Sequence, residues 1–194
     1  MPPKVKITKK DIIDKALDLV REGGADAINA RGIANALNCS TQPIFSNFES
    51  MEDLERSVFF AAYEKYLGFI TDELKSEKYP PYKAYGMAYI RFAKEEKELF
   101  KLIFMCDRQG EENTPSPDFE ASVEMIMQAN GCDRETARLL HLEMWVCVHG
   151  IATILATSFL ELDFELISRM LTDVYWGLRT RLIDGGNVDG CNKN

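Results

Sequence analysis

Between Asn29 and Phe48 the chain sets small polar side chains at helical spacing around apolar ones. With Ile44 and Phe48 turned inward, Thr41, Gln42, Ser46 and Asn47 fall on the outward face of the same short helix. Their hydroxyl and amide groups both donate and accept hydrogen bonds. On an exposed helix, groups of that size reach base edges and phosphate oxygens in a major groove. Other chemistry is thinly represented. The chain has two histidines, His141 and His149, without a paired His-Glu metal spacing, a Gly-rich phosphate loop or a Ser-His-Asp order, so the sequence points to no enzyme, no metal site and no cofactor. Cys39, Cys106, Cys132, Cys147 and Cys191 are odd in number, far apart and never in a CxxC pair. That usage predicts reduced, mostly buried thiols rather than a disulfide framework or zinc site.

Holding such a face in place takes two short helices, a tight turn and a small residue where the helices cross. Ala34 is that residue, and Ile33, Leu37, Cys39, Ile44 and Phe48 are the apolar lock. Asn29 is a suitable cap for a helix ending near Leu37, and Asn38-Cys39-Ser40 forms the turn, because Asn tolerates positive φ. Ser40 or Thr41 caps the next helix, with Pro43 in its first turn, where a missing N–H costs little. Ahead of both, a helix opens at Thr8 with Asp11 near its positive end, presents Ile13, Ala16, Leu17 and Val20 inward, and stops at Gly23-Gly24.

Almost every later segment also carries the 3.6-residue period, and alternating Val/Ile/Thr-rich runs are missing, so the fold class is all-α with about nine helices. A long fourth helix from Ser50 to about Glu77 aligns Leu54, Val58, Ala62, Tyr66, Ile70 and Leu74, and Pro80-Pro81 ends it. Further helices are predicted over Tyr82 to Lys94, Glu98 to Cys106 and Asp118 to Ala129, then from caps at Asp133 and Asp163 to about Leu160 and Ile183. Asp107 to Pro117 is the expected loop. The predicted organisation is a DNA-binding domain over 1–50, a larger helical domain over 51–183 and a flexible tail over 184–194.

A net charge of −8 is unusual for a nucleic-acid binder, but the charge is segregated. In residues 1–48 seven Lys and Arg (Lys4, Lys6, Lys9, Lys10, Lys15, Arg21, Arg31) outnumber five acids, so the acidic excess belongs to the rest of the chain. A cationic module joined to an acidic body follows. No run of about 18 apolar residues and no apolar signal core near Met1 are found, which predicts a cytoplasmic protein away from membranes.

Residues Ile7 to Leu54, with their "NARGIANALNCSTQPIFSNFESMEDL", resemble the TetR family of bacterial regulators: a capped helix, Ile-Ala, a turn, Ser, a Leu/Ile-aromatic-x-x-Phe run, and Ser-x-x-x-Leu opening the fourth helix. "MWVCVHGIA", with Trp145, His149 and Gly150, is similar to the signature of one subgroup's C-terminal domains. Three positions depart from the pattern: Phe45 stands for the usual Tyr, Met51 for a frequent Lys and Asn38 for the turn glycine. The first two remove phosphate contacts, which shifts the load to Lys4, Lys6, Lys9 and Lys10 and to helix N-termini.

The resemblance implies a regulator contacting operator DNA through Lys6, Asn29, Arg31, Ser40, Thr41, Gln42, Pro43, Phe45, Ser46 and Asn47. It also implies a small apolar effector bound in the larger domain, for which Tyr66, Phe92, Phe104, Met125, His141 and Trp145 are candidate lining residues. His141 on the row Ala137, His141, Met144, Val148, Ile151, Leu155 equally reads as a satisfied buried imidazole, and the aromatic residues equally as core. The last two long helices, about 133–160 and 163–183, are apolar on two faces, and the resemblance makes the second face a homodimer interface. The expected function is a ligand-responsive repressor on a palindromic operator; the alternative is a helical regulator acting through protein partners.

Overall fold

Short polar side chains begin the head's first two helices by taking up backbone donors that have no helical partner. Thr8 and Asp11 do so reciprocally at α1 (Lys9–Gly23): the Asp11 N–H donates to the Thr8 hydroxyl (3.1 Å) and the Thr8 N–H to the Asp11 carboxylate (2.8 Å). Gly24, at φ 74°, ends the helix, and a 3-10 turn over Ala25–Ala27 follows. Asn29 opens α2 (Ala30–Ala36) by accepting from the Gly32 N–H at 2.7 Å. The third helix, α3 (Gln42–Asn47), starts at Thr41, whose hydroxyl makes no capping bond; Pro43 lies within its first two positions.

The computed structural model describes residues 7–106 and 117–185. Among these, six further helices follow the head: α4 (Met51–Lys75), α5 (Pro81–Glu95), α6 (Lys97–Phe104), α7 (Pro117–Asn130), α8 (Arg134–Ala156) and α9 (Phe164–Leu182). The described residues contain no strand, as an all-α chain requires. Lys4, Lys6, Cys191, the expected loop before Pro117 and the tail beyond Gly185 lie outside the described residues.

The chain divides into two compact units, and two of the three boundaries fall inside helices, in α4 and α5. The first unit holds described residues 7–69 and 92–106. Within it α1 packs against α2, α3 and α6. Ile12, Ala16, Leu17 and Val20 are its buried stripe, so Ile12 rather than Ile13 faces inward: Ile12, Ala16 and Val20 form one four-residue row, and Ile13 lies at its edge. Arg21 grips Glu96 through two bonds of 2.8 Å, tying the end of α1 to the cap position of α6.

The second unit holds described residues 70–91 and 117–185, with α8 packed against α7 and α9. The expected α8 row from Ala137 to Leu155 is buried throughout. That helix is long and apolar enough to cross a membrane by length and composition, but nearly half of its most apolar stretch is buried inside the fold. It ends at Ala156, four residues before the expected end, because Ser158 turns to φ 55° and the Phe159 N–H closes back on the Ile154 carbonyl. Glu73, not Leu74, takes the buried place at the end of α4, paired with Arg91 at 3.0 Å. A Cβ on Gly86 would stand 3.3 Å from Val148 and 3.6 Å from Leu171, so the missing side chain is what lets α5 lie close to α8 and α9.

Asn38 has φ 52° in the turn between α2 and α3. Asn38→Gly is expected to hold or raise stability in a denaturant titration, whereas Asn38→Ala lowers it by about 1 kcal/mol, the cost of the left-handed region for a residue with an unassisted Cβ.

Candidate nucleic-acid interface

The turn that joins α2 to α3 is locked from both sides. Ile33, Ala34, Ile44 and Phe48 are buried, and Leu37 and Cys39 are half-buried beside them. The Cys39 N–H donates to the Ala34 carbonyl at 2.9 Å, which closes the turn. Ile28, buried just ahead of the Asn29 cap, belongs to the same set and was not picked out by the periodicity, because it lies outside any helix.

This lock turns one face of α3 to solvent. Gln42, Phe45 and Ser46 are exposed, Thr41, Pro43 and Asn47 half-buried. Their free hydrogen-bonding capacity is smaller than the residue types suggest. Ser46 Oγ donates to the Gln42 carbonyl at 2.8 Å, and Asn47 Nδ2 donates to the Pro43 carbonyl at 2.7 Å. Asn29, Arg31 and Ser40 are exposed in the same unit. Asn29 spends its amide on the cap and on the Ala27 carbonyl at 3.2 Å. Lys9 holds its ammonium 4.6 Å over the Phe48 ring, a cation–π contact that positions the charge at the start of α1. At the head of α4, the Asp53 N–H donates to Ser50 Oγ and the Glu49 N–H to the Asp53 carboxylate, which holds that carboxyl below its usual range.

The six residues expected to line an effector site divide between the units. Tyr66, Phe92 and Phe104 cluster in the first, with ring centroids of Phe92 and Phe104 at 5.6 and 5.2 Å from Tyr66. Met125, His141 and Trp145 belong to the second. There His141 is buried and satisfied: it shares a 2.9 Å hydrogen bond with the Tyr82 hydroxyl through Nδ1, and its ring lies 4.5 Å from that of Phe119. Trp145 stacks on His149 at 5.0 Å, and His149 shares a 2.9 Å bond with the Tyr89 hydroxyl. Tyr82 and Tyr89, seven residues apart on α5, therefore partner the two histidines, eight apart on α8. Matching two-turn spacings on two helices is the only trace of this in the sequence.

Two depressions on the second unit, of about 350 and 250 Å³, are lined by Asp163, Glu165, Leu166 and Arg169, and by residues including Glu73, Lys78, Tyr79 and Arg91. None of the six expected lining residues borders either. Among the described residues no group of His, Cys, Asp and Glu is placed to hold a metal ion. Cys39, Cys132 and Cys147 are half-buried and Cys106 exposed, so the expectation of mostly buried thiols is wrong: each sits at the edge of the apolar stripe of its segment or beyond it.

A small three-helix head with an outward-facing third helix, followed among the described residues by six helices, defines a helix-turn-helix protein with a helical C-terminal domain. Residues 82–174 match the family described as "Tetracyclin repressor-like, C-terminal domain". That match makes the chain's C-terminal part a tetracyclin repressor-like domain. The fold is similar to that of a TetR-like transcriptional regulator from Rhodococcus sp. RHA1, with a TM-score of 0.61 at 12% identity over 96% of this chain and 100% of that one. A TetR-family transcriptional regulator from Vibrio parahaemolyticus gives a TM-score of 0.60 at 14% identity, covering 86% of this chain and 95% of that one. No curated protein matches the sequence.

Burial pulls the His141 imidazole down to about 4 from its ordinary 6.5. Between these values the unfolded chain binds the extra proton, so the stability from keeping His141 neutral is complete above pH 6.5 and is lost as pH falls toward 4. His141 should contribute about 2 kcal/mol to the difference between denaturant titrations at pH 7 and pH 5, with His149, lowered by burial as well, adding in the same direction, and His141→Gln should remove the His141 share. The capping carboxylates Asp11 and Asp133, whose pKa values lie below the ordinary range, titrate beneath this window.

Proposed function

We propose that this DNA-binding transcriptional regulator reads a palindromic operator as a homodimer and is released from it by a small apolar effector. The observation that carries the DNA half is the outward face of α3, held by the buried Ile44 and Phe48 and bearing the exposed Gln42 amide. Lys6, Lys9, Arg31 and the ends of the helices supply phosphate contacts; Asn29, Ser40, Thr41, Pro43, Phe45, Ser46 and Asn47 complete the interface. The reading head corresponds to residues 1–50, and effector binding and dimerisation to 51–183.

The dimer reading is supported by the solvent-facing side of the second unit. Leu139, Leu142 and Val146 on α8 are 43–59% exposed, and so is Trp176 on α9, apolar residues that a partner copy would cover. Among the described residues nothing lies within 4 Å of where a Cβ on Gly150 or Gly177 would stand, which leaves room for a partner helix. Met125, His141 and Trp145 are the effector contacts proposed within this unit, and Tyr66, Phe92 and Phe104 those proposed within the other. Helices α4 and α5 each begin in one unit and end in the other, which supports them as the carriers of coupling. Effector and operator then weaken each other's binding reciprocally, typically by 1–3 kcal/mol. The protein acts in the cytoplasm.

Selection of bound DNA from a random pool, repeated with candidate effectors, tests this reading directly. On the selected site, Gln42→Ala is expected to weaken binding by about tenfold or more, the worth of one bidentate base contact, with little change in non-specific binding. If the variant binds unchanged in a shift assay, α3 is not the reading helix. Val146→Glu should convert the dimer to a monomer in sedimentation analysis and abolish cooperative occupation of the two half-sites; a wild-type monomer at micromolar concentration overturns the dimer reading.

A further inference from the structure

We infer that Phe45 is a specificity-determining residue of α3 beside Gln42 and that it reads the 5-methyl group of a thymine. The inference rests on the operator reading above and gives the half-site a chemistry. Helix α3 contains no Lys, Arg, Asp or Glu, so it offers neither a bidentate cation to guanine nor a carboxylate to the cytosine amino group. The Ser46 hydroxyl and the Asn47 amide already donate to the carbonyls of Gln42 and Pro43. Pro43 has no N–H to give.

Two exposed side chains remain with unspent recognition chemistry, one turn apart on the same face: the Gln42 amide and the Phe45 ring. The ring is 56% exposed, whereas its neighbour Ile44 and the next aromatic residue, Phe48, are 1% and 3% exposed. Its exposure is therefore built into the register of the helix, because the lock at Ile44 and Phe48 cannot be kept while Phe45 is turned inward. In a major groove, the feature an aromatic hydrocarbon can distinguish is the thymine methyl, and the feature a glutamine amide pairs with is the N6/N7 edge of adenine. Both residues select A·T pairs, and the ring gains by removing itself and the methyl from water together.

Replacing thymine by uracil removes that methyl and nothing else, which makes the test specific. After an operator has been selected from a random pool, each thymine of a half-site is replaced in turn by uracil and binding is measured by shift assay. For the wild-type chain one position should lose about fourfold in affinity per half-site, the effect of one buried methyl. Phe45→Ala should bind thymine and uracil operators equally, while Phe45→Leu keeps the preference; circular dichroism melting checks that both exposed-site variants fold. Equal wild-type binding to every uracil operator overturns the inference, as does a uracil penalty that persists in Phe45→Ala. A pool from which no sequence is enriched overturns the operator reading itself, an outcome distinct from either.

Discussion

A six-residue helix is far too short to sustain itself in water, since nucleation costs more than one turn of hydrogen bonds returns. Helix α3 exists because Ile44 and Phe48 are buried and the helix packs against α1, so its conformation is borrowed from tertiary packing. Everything proposed for the outward face depends on that loan. The same two anchors fix which residues look out, and the Asn38 turn fixes how α3 leaves α2. The head is thus a rigid display of few residues, with much of its polar chemistry consumed in holding its own backbone together.

Helix existence and type were legible in the chain because caps and periodicity agree: Thr8, Asn29, Asp133 and Asp163 all cap as expected, and the α8 row is buried from Ala137 to Leu155. Errors arose where local pattern underdetermines the answer. Ile12 and Ile13 are adjacent and equally apolar, and only packing chooses between them. Apolar residues at Phe159 and Leu160 extend the α8 pattern past its end, but they are 84% and 51% exposed in the connection to α9. Of the outward face expected on α3, Gln42 and Ser46 are exposed, whereas Thr41 and Asn47 are half-buried and Phe45 is exposed beside them. What spacing could not convey was the engagement of Ser46 and Asn47 with their own helix, a property of three-dimensional geometry rather than of residue type.

The second unit handles its polar groups differently. Its two histidines, which as residue types suggest chemistry, are held by tyrosines from α5, and Asn130 at the end of α7 meets both Tyr175 and Arg179 of α9. Buried and half-buried polar groups that meet partners on a neighbouring helix favour one helix register, because a slip breaks those bonds. Surface pairs such as Arg134 with Glu120 and Glu124 add little by comparison.

Gly86 carries this register into the history of the sequence. With Val148 3.3 Å from where its Cβ would stand, the two positions are not free to vary independently. A lineage that acquires alanine at 86 gains helix propensity on α5 but must move Val148 by a few tenths of an ångström or trade it for something smaller. The side chain tolerated at 148 therefore depends on what stands at 86, and a glycine on α5 limits what α8 can carry between His141 and His149.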